Sequence, residues 1–300
     1  MVVAILGPTA SGKSELGMGL AERLSGEIVC CDSMQVYRGM DIGTGKPSAE
    51  EQARCPHHLL DLVEPGDAFH AAGWADRAHS AINAIRARGQ LPIVVGGTGL
   101  YFRALREGLF EAPPSDPSIR ARHQAEAAAT GLPALYQRLS GIDPEAAARI
   151  KPGDLTRISR ALEIYEQTGV PISELRRRAA RPSLPWRLFT VILDYPLENL
   201  RLRIQQRVDQ MMAAGFLDEV KSLRAAGFGG SRALAALGYK QLSQHLDGLL
   251  TLEDAVAQTK AATAAYARRQ RTWFRREPAQ VRAPAPLDPE ILARELAAQL

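Results

Sequence analysis

The chain opens on five apolar residues, VVAIL (residues 2–6), which stop at a glycine. A short apolar run closed by a turn signal reads as a strand buried on both faces. SELGMGLAERL (14–24) follows with helical spacing, and EIVCCDS (27–33) reads as a second buried strand. HHLLDLV (57–63) predicts a third, AAGWADRAHSAINAIRARG (71–89) a helix ending at glycine, and LPIVVGGTG (91–99) the clearest strand of all. Strands alternating with helices imply βαβ units and a mostly parallel sheet. The pattern changes after the proline-rich break EAPPSDPS (111–118). Residues 120–180 carry only helical signals, WRLFTVILDY (186–195) returns to strand, and helical patterns then run to about residue 276. The tail after Glu277 is rich in proline and alanine and is expected to be loosely ordered before a short final helix. The predicted organisation is a first core segment over 1–115, a helical insertion over 116–183, a last core strand with C-terminal helices over 184–280, and a tail over 281–300. No internal repeat is visible.

Composition narrows the class. The chain has 300 residues, 46% of them hydrophobic, enough to bury a substantial core. The early apolar run is too short for a signal-peptide core and lacks a basic leader. No run approaches the roughly 20 apolar residues of a membrane helix. The expectation is a cytoplasmic protein without membrane association, and a monomer. Three cysteines, two of them adjacent in an apolar run, form neither a disulfide framework nor a zinc site and read as buried thiols. The net charge of +4 hides an asymmetry. Residues 1–150 hold 14 basic and 17 acidic side chains; residues 151–300 hold 23 and 16. A basic half is compatible with a polyanionic partner, and equally with a solvated surface.

The strongest chemical signal is GPTASGKS: Gly7, Pro8, Thr9, Ala10, Ser11, Gly12, Lys13 and Ser14. It matches G-x-x-x-x-G-K-[ST] between a strand and a helix, the context this motif requires. Its backbone amides can turn toward phosphate oxygens, Lys13 adds a cation, the Ser14 hydroxyl can ligate Mg²⁺, and the helix N-terminus adds its dipole. The motif specifies a diphosphate-like anion and leaves the molecule open. In a parallel sheet, ligands sit outside the carboxyl ends of the strands. That rim receives Asp32 from one strand and Gly96, Gly97 and Thr98 from another. Asp32 has three readings: an outer Mg²⁺ partner, a general base, or a helix cap. Arg157, Arg160 and Arg207 are candidate anion ligands, although such arginines are more often surface residues.

The combination GPTASGKS, DSMQVYRGMDIGTGKP (32–47), HHLLDLVEP, RGQLPIVVGGTGLYFRAL, RISRALEIYEQTG, RVDQMMAAGFLDEV, LGYKQL and ARRQRTWFRR resembles the bacterial tRNA dimethylallyltransferases, also called tRNA isopentenyltransferases, over residues 1–277. The resemblance implies a P-loop NTPase-like α/β fold with a mostly helical, tRNA-binding insertion. It implies transfer of a dimethylallyl group from dimethylallyl diphosphate to N6 of the adenosine just 3′ of the anticodon, with release of diphosphate. Asp32 would be the base, Thr98 would orient the acceptor, and Lys13, Ser14 with Mg²⁺, Arg157 and Arg207 would hold the diphosphate. The tRNA anticodon stem-loop would meet Asp32, Ser33, Met34, Gln35, Thr98, Arg120, Thr156, Arg157, Ile158, Ser159, Arg160, Gly238, Tyr239 and Lys240. TAAYARRQ (263–270) departs from the family's usual Thr-Arg-x-x-Ala-Lys-Arg-Gln, with Ala264 where arginine is common. A P-loop small-molecule kinase using ATP is the alternative from the loop alone. Trp273 reads as core, and His57 with His58 as structural.

Overall fold

The computed structural model describes residues 1–110, 112–178, 184–284 and 286–298. Six strands form one sheet: β1 (Val2–Leu6), β2 (Gly26–Cys31), β3 (His57–His58), β4 (Leu91–Gly96), β5 (Leu188–Leu193) and β6 (Val281–Ala283). Their order is β3-β2-β4-β1-β5-β6, every pairing parallel. β1 lies between β4 and β5, so the loop that leaves its carboxyl end sits centrally on the rim. Alternation along the strands feeds two cores. Val2, Ala4, Leu6, Val29 and Val94 face one, with Trp74, Ile82, Ile85 and Phe102. Val3, Ile5, Ile28, Ile93 and Val191 face the other, with Leu16, Leu20, Leu292 and Leu296. Burial on both faces is why these strands read as continuous apolar runs.

The chain divides into two compact units, Met1–Arg106 with Leu184–Leu300, and Glu107–Ser183. Around the sheet of the first are α1 (Lys13–Leu24), α2 (Ala49–Arg54), α3 (Ala71–Ala87) and α4 (Gly99–Glu107). The second, helical unit holds α5 (Pro117–Thr130), α6 (Leu132–Ile142), α7 (Pro144–Arg149), α8 (Leu155–Thr168) and α9 (Ile172–Arg178). Its own core is built on Leu135, Leu139, Ile158, Leu162 and Ile164. The first unit resumes with α10 (Leu197–Ala213), α11 (Phe216–Leu223), α12 (Tyr239–Leu246), α13 (Leu252–Phe274) and α14 (Pro289–Ala297). No described helix is long and apolar enough to cross a membrane.

Two elements differ from the sequence reading. The strand expected over 57–63 lasts two residues, because Leu59 and Asp61 take left-handed backbone (φ 67° and 53°), and only Val63 returns to bridge Tyr37. The tail expected to be loose before its helix instead adds β6 beside β5, and Leu292 and Leu296 of α14 pack into the sheet's core. The sequence also carries a basic run, RRRAAR (176–181), that could meet RNA or be a solvated linker; its end, residues 179–181, lies outside the described residues.

Candidate active site

The loop between β1 and α1 turns on two left-handed residues, Ala10 (φ 62°) and Gly12 (φ 81°), which set Lys13 and Ser14 at the helix N-terminus. The Lys13 ammonium donates to the Pro8 carbonyl at 3.4 Å, and no carboxylate pairs with it among the described residues. Burial pushes its pKa down to about 8, and Arg207 adds to the shift while Asp32 opposes it. An arriving anion would restore its full charge. Ser14 is exposed, its hydroxyl unspent among the described residues.

A cavity of about 530 Å³ adjoins this loop. Lys13, Ser14, Asp32, Gln35 and Arg207 are among its polar lining residues, and Val208, Met211, Phe216 and Leu237 among its apolar ones, with the Tyr266 ring. Asp32 follows β2. Its Oδ1 accepts from the Met34 amide at 2.8 Å, an Asx turn and not a helix cap. Thr98, just past β4, fixes that turn: its hydroxyl accepts from the Ser33 amide at 3.0 Å. Gln35 donates to the carbonyls of Thr44 (3.3 Å) and Gly45 (3.0 Å).

Arg207 reaches the cavity from α10, its pKa lowered by burial although Asp32 and Glu51 oppose the shift. Its guanidinium packs so closely on the 39–47 loop that a Cβ on Gly45 would lie 1.8 Å from Nη2. Glu219 of α11 holds this loop. Its carboxylate accepts from the amides of Asp41 (2.9 Å), Ile42 (2.6 Å) and Gly43 (3.1 Å), and from the Tyr239 hydroxyl at 2.6 Å. Arg203, one turn before Arg207, donates to the Ala10 carbonyl at 2.8 Å. The sequence reading overlooked Arg203, Glu219 and Tyr266; Glu219 and Tyr266 fall within the quoted segments, and Arg203 just outside them.

The other expected contacts fall unevenly. In the helical unit Thr156 and Arg157 are exposed at the start of α8, while Ile158 is core and Ser159 accepts or donates within a buried pair with His123 at 2.9 Å. Arg157 pairs with Asp154 at 3.4 Å. Arg160 and Arg120 both bond the fully buried Glu163. Lys240 is exposed at the start of α12, beside the buried Gly238 and Tyr239. Trp273 packs on the core under Arg103, 4.4 Å from its ring. His58 bonds Glu27 at 2.6 Å and His57 the Cys55 carbonyl at 2.7 Å. Among the described residues no cluster of His, Cys, Asp and Glu could hold a metal alone.

A chain whose phosphate loop, arginine and carboxylate line one partly apolar cavity has close relatives among known proteins. The IPP transferase family model matches residues 35–277, and the isopentenyl transferase model residues 1–63. The tRNA dimethylallyltransferase of Anaeromyxobacter dehalogenans (strain 2CP-C) is 51% identical over 296 residues, covering 98% of each chain. The tRNA isopentenylpyrophosphate transferase of Bacillus halodurans superposes with a TM-score of 0.71 at 39% identity, covering 99% of this chain and 96% of that one. A eukaryotic dimethylallyltransferase acting on tRNA gives 0.72 at 31% identity, over 91% and 69%. The fold is that of the P-loop NTPase-like transferases, and the chain belongs to the IPP transferase family.

Proposed function

We propose that the chain transfers a dimethylallyl group from dimethylallyl diphosphate to N6 of the adenosine next to the anticodon of a tRNA. The observation that carries this reading is the cavity itself. Two cations without carboxylate partners among the described residues, Lys13 and Arg207, line the same cavity as Asp32, and its apolar lining suits a five-carbon chain. The diphosphate lies on the 7–14 loop, against Lys13 and Arg207. The prenyl chain lies toward Val208, Met211 and Phe216. The N6 lone pair forms a bond to C1 of the prenyl group, the C1–O bond breaks, and diphosphate leaves with that electron pair. Asp32 takes the N6 proton on the oxygen its Asx turn leaves free. Cations around the leaving group stabilise the charge that grows as the bond breaks. Thr98 acts by holding the Asp32 turn.

Mg²⁺ fits this site. Magnesium is usually held by few protein oxygens plus substrate phosphates, and the exposed Ser14 hydroxyl at the helix N-terminus supplies one such oxygen. When bound it would neutralise part of the diphosphate charge.

On the RNA side, the exposed Thr156, Arg157 and Lys240 are the contacts best placed to meet phosphates. Arg120 and Arg160 meet them only through the outer edges of guanidiniums already bonded to Glu163. The target base must leave its stack, which costs a few kcal/mol.

A single-turnover assay tests the reading. Enzyme and Mg²⁺ are mixed with labelled dimethylallyl diphosphate and unmodified tRNA, with a parallel tube carrying labelled ATP. Label entering the tRNA from the first tube alone is expected. Label moving only from ATP would replace this reading with a kinase.

A further inference from the structure

Gln270, on α13, is 94% hidden from solvent, and its side-chain amide bonds two backbone groups far from it in sequence. Its Oε1 accepts from the Thr9 amide of the phosphate loop at 2.8 Å. Its Nε2 donates to the Gly97 carbonyl, just past β4, at 2.9 Å. The approach is tight: a Cβ on Gly97 would lie 2.3 Å from Nε2. One amide group therefore spans the two rim segments that frame the cavity, and occupies one of the loop's own amides. Its neighbours on α13, Tyr266 and Arg269, line the same cavity.

We propose that Gln270 is a positioning residue for the diphosphate: it holds the 7–14 loop in register with the end of β4 and so sets where the anion rests. This rests on the prenyl-transfer reading. The Thr9 amide, engaged by Gln270, is withdrawn from the ligand. The remaining amides of the loop, with Lys13, form the cradle. Without the bridge, the Thr9 amide and the Gly97 carbonyl lose their partners and the loop is free to shift relative to β4.

The chemistry of the bridge offers a specific test. In Gln270→Glu the ionised carboxylate can still accept from Thr9, but its second oxygen faces the Gly97 carbonyl with no hydrogen between them. Protonation restores the missing donor. The buried position and the Gly97 carbonyl both favour that protonated form. Lys13, Asp32, Glu51, His57, Arg207, Tyr266 and Arg269 share the cavity, and inorganic diphosphate itself titrates. All are common to variant and wild type, so the ratio of the two affinities isolates residue 270.

Full-length protein is titrated calorimetrically with inorganic diphosphate and MgCl₂ between about pH 5.5 and pH 8.5. Gln270→Glu is expected to bind about 30-fold more weakly than wild type at the alkaline end and to recover to within about threefold at the acid end, the size expected for one buried group losing and regaining its partner. Gln270→Met, which removes both bonds at similar volume, is expected to bind about tenfold more weakly at every pH, with a melting temperature within a few degrees of wild type. A pH-independent Glu/wild-type ratio, or a Met variant within about twofold of wild type, overturns the proposal; the Met result decides if the Glu variant does not fold. Failure of the wild type to bind diphosphate at all would instead sink the prenyl-transfer reading.

Discussion

The helical unit and the cavity region of the sheet-bearing unit treat their cations in opposite ways. In the helical unit the arginines are matched with carboxylates: Arg120 and Arg160 with Glu163, Arg122 and Arg138 with Glu166, Arg149 with Glu145, Arg157 with Asp154. Around the cavity of the sheet-bearing unit, Lys13, Arg203, Arg207 and Arg269 have no carboxylate within ion-pair distance among the described residues; they rest on carbonyls, rings and close packing. Paired cations hold a fold together. Lys13 and Arg207, desolvated and without carboxylate partners, weaken it, and such cations are kept where an anion must be received. The distinction separates the expected ligands by environment, something residue type alone could not do.

The sharpest way to break this contrast is at the cavity. Lys13→Ala is expected to lower kcat/KM by about a thousandfold, the scale of losing one preorganised charge at a developing anion. Its melting temperature should hold or rise, because a desolvated cation without a carboxylate is removed. A clear fall in melting temperature would make Lys13 structural and erase the contrast. Asp32→Asn should lower kcat by about a thousandfold while leaving diphosphate affinity within about twofold, as fits a base that does not hold the leaving group.

The helical unit should respond in stability instead. Glu163→Gln breaks the ion pairs of a fully buried carboxylate with two partly exposed arginines and should cost about 3 kcal/mol, read by chemical denaturation, with diphosphate binding unchanged. Burial works to raise the Glu163 carboxyl pKa, but bonds from Arg160, the Asp116 amide and Arg120 outweigh it and hold the pKa below the usual value. The group therefore stabilises the fold fully above the unfolded-state pKa, and that contribution disappears as pH falls through the lower folded value. The gap between wild type and Glu163→Gln should be largest near neutrality and close in acid. A gap that persists unchanged at low pH would mean shape, and not charge, is what Glu163 provides.

Smaller effects sharpen the picture further. Gly45→Ala places a methyl where the Arg207 guanidinium now sits, on backbone at φ +61°, and should weaken diphosphate binding about tenfold, consistent with displacing one charged hydrogen-bonding group. Arg157→Ala is the smallest change. Its pair with Asp154 is exposed, so melting should be unaltered, while tRNA affinity drops a few-fold and the salt dependence flattens by about one ion. An unchanged salt slope would remove Arg157 from the RNA contacts.

Much of this was legible in the chain. The phosphate loop announces itself because its chemistry and its strand–helix context lie within fourteen residues. Asp32 and Thr98 were placed on the rim by the parallel-sheet rule alone, and both lie there. What stayed hidden depends on distance or brevity. Gln270 meets Thr9 across 261 residues, and its place at the end of TAAYARRQ gives no hint of that partner. Glu219 reads as an ordinary polar residue of α11 until three consecutive amides turn toward it. β6 is three residues long with one of them buried, below what periodicity can register. Ile158 and Ser159 sat inside a segment expected to meet RNA, but helical spacing turns them into the core, leaving Thr156 and Arg157 outside.

The position of β1 bears on how the chain is made. Its two neighbours, β4 and β5, are separated in sequence by the whole helical unit. During synthesis β1, β2 and β4 leave the ribosome first, then the complete helical unit, and only afterwards the strand that closes the open flank of β1. Through that interval the strand carrying the phosphate loop is an exposed edge, a surface on which unfinished chains tend to pair with one another. The inserted unit, with a core of its own, can fold while the catalytic unit waits.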